Sequence, residues 1–186
     1  MTTRLTLLCH AATAATRTGR FPADEDLEDK AASTLENLAG RLPRADLAFA
    51  GRSRRTRQTA ALLGLVAEPI ADLDDCDFGC WRGRTLVDVA SRHPDQFASL
   101  LSDPAATPHG GESITALIAR VAAWLGTIAQ AESAVAVTHP AVVRAASLHV
   151  LGAPATSFWT LDAGPLAMID LRHDGRRWAM RAPILG

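Results

Sequence analysis

The chain is poor in several things. It has one lysine (Lys30), three cysteines, a formal charge of only −1, and no apolar run long enough to cross a bilayer. Each shortage removes a class of function. With so little net charge there is no global field to gather nucleic acid or anionic lipid, so neither a nucleic acid nor a membrane is expected as a partner. Any anion site must be local. Cys9, Cys76 and Cys80 are odd in number and lack metal-type spacing, which argues against a disulfide framework and a zinc site, and for a reducing compartment. His93, His109, His149 and His173 show no ligand spacing either, so neither a metal nor another cofactor is expected. The opening Met1-Thr2-Thr3-Arg4-Leu5 has no long apolar stretch and no cleavage-like segment, and a cytoplasmic location follows as the expectation. With no internal repeat or linker, residues 1–186 fit one domain with its own core.

What is present alternates between strand and helix patterns. Leu5 to Cys9 is a short, continuous apolar run of buried-strand type, followed by a polar loop from Ala11 to Asp26. Leu27, Ala31, Leu35, Leu38 and Leu42 recur at helical spacing, and Pro43 follows, so a helix is predicted over 27–41. A strand over 46–50 feeds Ser53, a plausible N-cap for a helix running to Gly64. Val66 to Ala71 is a third strand candidate, and 72–85 is a loop. Helical patterns cover 85–92, 94–101 and 112–130, with a break over 104–111. Ala134 to Thr138 is a strand, and a helix over 140–151 ends at Gly152. Two last strands, 166–171 and 177–182, flank the hairpin signal Asp174-Gly175. The class is α/β, a mostly parallel sheet with a C-terminal antiparallel hairpin. The apolar residues of 142–151 serve either the core or a homodimer face.

Two histidines stand at corresponding places. His10 follows the first strand and His139 follows the strand over 134–138. Ligands of open α/β sheets sit beyond the carboxyl ends of the strands, so two imidazoles at two such ends can share one ligand, whereas either alone reads equally well as a strand cap. Arg52, Arg54, Arg55 and Arg57 crowd a strand-to-helix junction, where guanidinium and backbone N–H groups favour an anion. Residues on different faces of one helix cannot all reach one ligand, so one or two of the four are expected to point inward. A neutral imidazole beside guanidinium groups is a nucleophile suited to covalent phosphoryl transfer.

Five blocks then occur in order: Cys9-His10-Ala11; Arg55-Thr56-Arg57-Gln58-Thr59-Ala60; Leu73-Asp74-Asp75 running on to Phe78-Gly79-Cys80-Trp81-Arg82-Gly83; Gly111-Glu112-Ser113; and Thr138-His139-Pro140 ending at Arg144. In this the chain resembles the phosphoglycerate mutase-like histidine phosphatases. The resemblance implies a three-layer fold with helices on both faces of the sheet. It also implies a phosphomonoesterase acting on a small-molecule phosphate ester. His10 would accept the phosphoryl group, Arg55 and His139 would hold its oxygens, and Asp75 stands where the family has the proton-donating Glu. Asp77 is the fallback donor. Arg17, Arg20, Glu112 and Pro140 are the candidate substrate contacts, against plainer readings of the first two as solvated loop charges and of Glu112 as a helix-capping acid.

Cys9 and Ala11 depart from the family's Arg-His-Gly. A pocket that loses one fixed cation and gains a methyl group would lose about 2.7 to 4 kcal/mol of transition-state stabilisation. Restoring the charge with Cys9→Arg should then raise kcat/KM tenfold or more. The alternative is an impaired or inactive relative that binds a phosphorylated ligand or a protein partner. A thiol mechanism at Cys9 lacks the Cys-x5-Arg cradle, and Cys9 reads as a buried strand residue. Trp124 and Trp159 read as core, and Trp81 as either core or pocket wall.

Overall fold

The computed structural model describes residues 2–182. Its centre is a six-stranded sheet in the order β3-β2-β4-β1-β5-β6. The strands are β1 (Thr3–Cys9), β2 (Leu47–Ala50), β3 (Glu68–Pro69), β4 (Ser133–Thr138), β5 (Met168–His173) and β6 (Trp178–Arg181). Strands β1 to β4 pair in parallel, while β5 runs antiparallel to β1 and to β6. Among the described residues seven helices accompany them: α1 (Ala14–Thr18), α2 (Ala31–Ala39), α3 (Arg54–Leu62), α4 (Leu86–Arg92), α5 (Pro94–Ser102), α6 (Ile114–Ile128) and α7 (Pro140–Leu151).

The two-residue side-chain period of β1 divides the core into layers. Leu5, Leu7 and Cys9 meet Val121 and Leu125 of α6 and Val142 of α7 on one face. Leu8 meets Leu35 of α2 and Ala60 of α3 on the other. A central strand covered on both sides must be apolar throughout, which explains the unbroken runs in β1 and β4. The run in α7 faces this core too, since Val142, Val143 and Ala145 to Leu148 are all buried. Ser53, Thr85 and Ser113 cap α3, α4 and α6 through their hydroxyls.

Several boundaries differ from the sequence expectation. The 11–26 loop contains α1, closed by a Thr13/Thr16 capping box. The predicted helix over 27–41 shrinks to α2, because Leu27 is drawn into a bridge with Thr13. The third strand keeps only two residues at the sheet edge, and Val66 is almost fully solvent-exposed. The strand expected over 166–171 begins instead at Met168. Pro165 and Leu166 form a turn closed by Ala167 N–H donating to the Gly164 carbonyl, with Leu166 in the left-handed region at φ 61°. Single 3₁₀ turns occupy Ala71–Leu73, at the start of the expected 72–85 loop, and Gly79–Trp81 within it, and a third 3₁₀ segment spans Ala155–Thr160.

Candidate active site

Parallel pairing of β1 and β4 sets Cys9 opposite Thr138, so the two chains leave the sheet side by side. His10 N–H donates to the Thr138 carbonyl at 2.8 Å, and the rings of His10 and His139 lie edge to face with centroids 5.2 Å apart. Both imidazoles are buried. A neighbour without a side chain is needed here: a Cβ on Gly51, at the end of β2, would lie 2.7 Å from the Leu73 carbonyl oxygen and 3.0 Å from His139 Nε2.

Of the four clustered arginines one points inward. Arg55, 2% exposed, donates from Nε to His10 Nε2 at 3.2 Å and from a terminal nitrogen to Asp75 Oδ2 at 2.8 Å, and it also donates to the Ala23 carbonyl. Arg52 and Arg54 turn outward to pair with Asp74 and Asp26, and Arg57 is exposed. Helix phase decides this, since in α3 only the positions near Arg55 and Thr59 face the sheet ends. Asp75 Oδ2 also lies 3.4 Å from His139 Nδ1, so His10, His139, Arg55 and Asp75 form one connected cluster.

The ionisation states follow from burial. Nδ1 of His10 lies 2.8 Å from the Ala11 carbonyl oxygen, which can only accept, so Nδ1 carries the proton and Nε2 keeps its lone pair. Desolvation, with the Arg55 charge adding to it, lowers the His10 pKa to about 4. His139 is held well below its ordinary value for the same two reasons. Burial raises Asp75 above the usual carboxylate range, although Arg55 pulls the other way. Between about pH 4 and 6.5 the unfolded chain therefore binds more protons at His10 than the folded one, and stability falls as pH drops through that window. The shift is worth on the order of 3 kcal/mol, partly offset by Asp75, which binds its proton more readily when folded. The melting temperature should fall on acidification from pH 7 to 4.5, and less steeply in His10→Asn; equal slopes would contradict this origin.

Two cavities meet at Asp75. The first, about 380 Å³, is lined by His10, Asp75, Arg20, Pro140 and Arg144 together with many apolar side chains. The second, about 730 Å³, is polar and includes Arg55, Asp77, Glu112 and Arg120. Arg20 lies on the wall of the first cavity and donates to the Gly83 carbonyl at 3.1 Å. Arg17 lies away from both, paired with Glu28 at 2.6 Å. Glu112 is engaged by Arg120, which also donates to the carbonyl oxygens of Asp72 and Asp74 and so ties down the Asp75 loop. Asp77 is more than half exposed and outside the His10 cavity. Glycine at position 111 is demanded by this loop, because a Cβ there would lie 2.0 Å from the Asp77 carbonyl oxygen.

The two departures from the family pattern land differently from expectation. The Ala11 methyl packs in the layer with Leu8 and Ala60, and its N–H donates to Thr59 Oγ1 at 3.1 Å, so it does not crowd the His10 cavity. Cys9 is fully buried in the α6/α7 layer, where desolvation and then Asp75 push its thiol up to about 12, out of range as a nucleophile. Arg144 ends the last motif, and nothing in its sequence surroundings distinguishes it from a solvated helix arginine. Its guanidinium lies over Phe158 and Trp159 at 5.8 Å, donates through Nε to the Leu161 carbonyl, and acts electrostatically on both Cys9 and Asp75. It has no ion pair among the described residues. Trp159 is only partly buried and lines the first cavity, while Trp81 and Trp124 are core.

The sequence profile of the histidine phosphatase superfamily, branch 1, matches residues 5–183. The chain belongs to that superfamily. Phosphoserine phosphatase 1 of Hydrogenobacter thermophilus is 26% identical over 186 aligned positions, covering 94% of this chain and 88% of that protein. A mycobacterial glucosyl-3-phosphoglycerate phosphatase shares the fold with a TM-score of 0.85 at 23% identity, over 97% of each chain. A phosphoserine phosphatase variant of Entamoeba histolytica, solved with phosphoserine, superposes with a TM-score of 0.87 at 18% identity, covering 97% of this chain and 95% of that one. These likenesses are to phosphoglycerate mutase-like folds, in agreement with the three-layer expectation. No helix among the described residues is long and apolar enough to cross a membrane.

Proposed function

We propose that the protein is a phosphomonoesterase that hydrolyses a small phosphorylated substrate through a phosphohistidine on His10. The observation that carries this reading is the fixed tautomer of His10: Nδ1–H is held by the Ala11 carbonyl, so Nε2 keeps its lone pair, turned to the Arg55 guanidinium that donates to it. Arg55 exchanges its bond to Nε2 for a phosphoryl oxygen, with Arg144 and His139 as the other contacts. Phosphoryl transfer asks chiefly for such positioning and charge neutralisation. His10 Nε2 attacks phosphorus, the ester P–O bond breaks, and its electron pair leaves on an alkoxide that takes the proton of Asp75. Asp75 then removes a proton from water as that water attacks phosphorus, the P–N bond breaks, and inorganic phosphate leaves with His10 restored. A buried carboxyl raised above its usual pKa is suited to both proton transfers. Three free cysteines fit a reducing, cytoplasmic setting.

Incubation with p-nitrophenyl phosphate followed by an alkaline quench should leave acid-labile, base-stable phosphate on His10. Neither turnover nor a trapped intermediate across several phosphoesters would overturn the enzyme reading in favour of ligand binding alone.

A further inference from the structure

The wall of the His10 cavity is out of keeping with a polar substrate. Phe21, Phe97, Phe158 and Trp159 line it, and Leu86 and Leu101, each more than 40% exposed, stand on its rim. Exposed large apolar side chains at the mouth of a concave site are a binding signature.

The few polar groups on the wall are already engaged. Thr16 Oγ1 donates to the Thr13 carbonyl and accepts from Thr13 N–H. Glu25 accepts from Thr13 Oγ1 and from Ala23 N–H, and lies 3.8 Å from Arg55. Arg20 is held through Nε by Thr18 Oγ1 and through Nη1 by the Gly83 carbonyl, with its other terminal nitrogen at the exposed edge of the cavity, and Trp159 Nε1 donates to the Leu100 carbonyl at 3.2 Å. What remains is one terminal nitrogen of Arg20 at the edge, and the reacting cluster with Arg144, which the phosphoryl group itself requires. Hydroxyl, carboxylate or ammonium groups of a sugar or amino-acid ester would therefore meet few partners on this wall, and an apolar pocket disfavours an added hydroxyl by about a hundredfold and a charged group by more.

Resting on the phosphatase reading above, we infer that the substrate is a phosphate monoester of an apolar alcohol, its chain or ring seated between the aromatic wall and the Leu86/Leu101 rim. The phosphoryl group meets His10 at the cavity floor, and the ester oxygen faces Asp75, which lines the same cavity.

The homologous n-alkyl phosphates from ethyl to hexyl test this, because every member leaves as a primary alkoxide. Burial of each added methylene favours the longer ester by about fourfold, so kcat/KM for hexyl phosphate should exceed that for ethyl phosphate at least about thirtyfold. O-Phosphoserine and glycerol 3-phosphate should fall below butyl phosphate. The Leu86→Ser/Leu101→Ser variant should lower the hexyl-to-ethyl ratio about tenfold. Turnover with a flat series, or with phosphoserine or glycerol 3-phosphate preferred, would overturn the inference and leave the phosphatase reading standing. If no ester is hydrolysed, the phosphatase reading fails instead, and calorimetry with the matching alkylphosphonates decides the cavity: tightening with chain length supports an apolar ligand, and length-independent binding overturns it.

Discussion

Replacing His10 with alanine should lower kcat/KM by about 10⁴-fold or more, with the circular dichroism spectrum unchanged. No neighbouring group can take over. His139 is fully buried, with Nε2 3.5 Å from Ser53 Oγ and Nδ1 turned to Asp75. The Cys9 thiol stays protonated, and its side chain lies in the apolar layer beneath the strand end. The acid-labile phosphate should disappear along with turnover. Residual activity within tenfold of the parent, measured on p-nitrophenyl phosphate, would mean that phosphoryl transfer does not pass through His10.

The second large effect concerns the cation that position 9 lacks. Arg144→Leu should reduce kcat/KM by about a hundred- to thousandfold, the usual result of removing one preorganised charge from an oxyanion-type site. On the sequence alone Cys9→Arg is expected to accelerate the enzyme; the structure reverses that expectation. Position 9 is sealed, and the Arg144 charge already acts on it, so a second guanidinium there is buried beside a like charge. Cys9→Arg should lower the melting temperature without raising the rate. In the Arg144→Leu background the same substitution is free of the like charge and should lower the melting temperature less than it does in the parent. A tenfold gain from Cys9→Arg alone, or an Arg144→Leu enzyme as fast as the parent, would show that Arg144 does not fill this place.

The elements read most closely from the sequence are those with the least freedom. α7 spans 140–151 as expected, because Pro140 fixes its first turn and Gly152, at φ 63°, its end. β1 and β4 were legible because a strand covered on both faces has to be apolar throughout. β3 was overestimated, since an edge strand extends only as far as its one neighbour pairs with it, and β2 pairs through just Phe49 and Ala50. The helix over 27–41 was read too long because periodicity cannot reveal that Leu27 has a bridging partner in the 11–26 loop.

At the site, the sequence by itself placed His10 and His139 at corresponding strand ends, while Arg55 and Asp75 were singled out by the resemblance to the histidine phosphatases, because the local pattern leaves open which of four arginines turns inward. Only the assembled structure decided which of four arginines turns inward, that Ala11 and Cys9 face the core, that Arg144 lies over Phe158 and Trp159, and that the cavity over His10 is walled by apolar side chains. Those properties come from residues such as Phe21, Phe97 and Phe158, far apart along the chain. A side chain's direction depends on helix phase and on what packs against it, and a cavity's polarity depends on which hydrogen bonds are already made around it. Neither is encoded in any single segment.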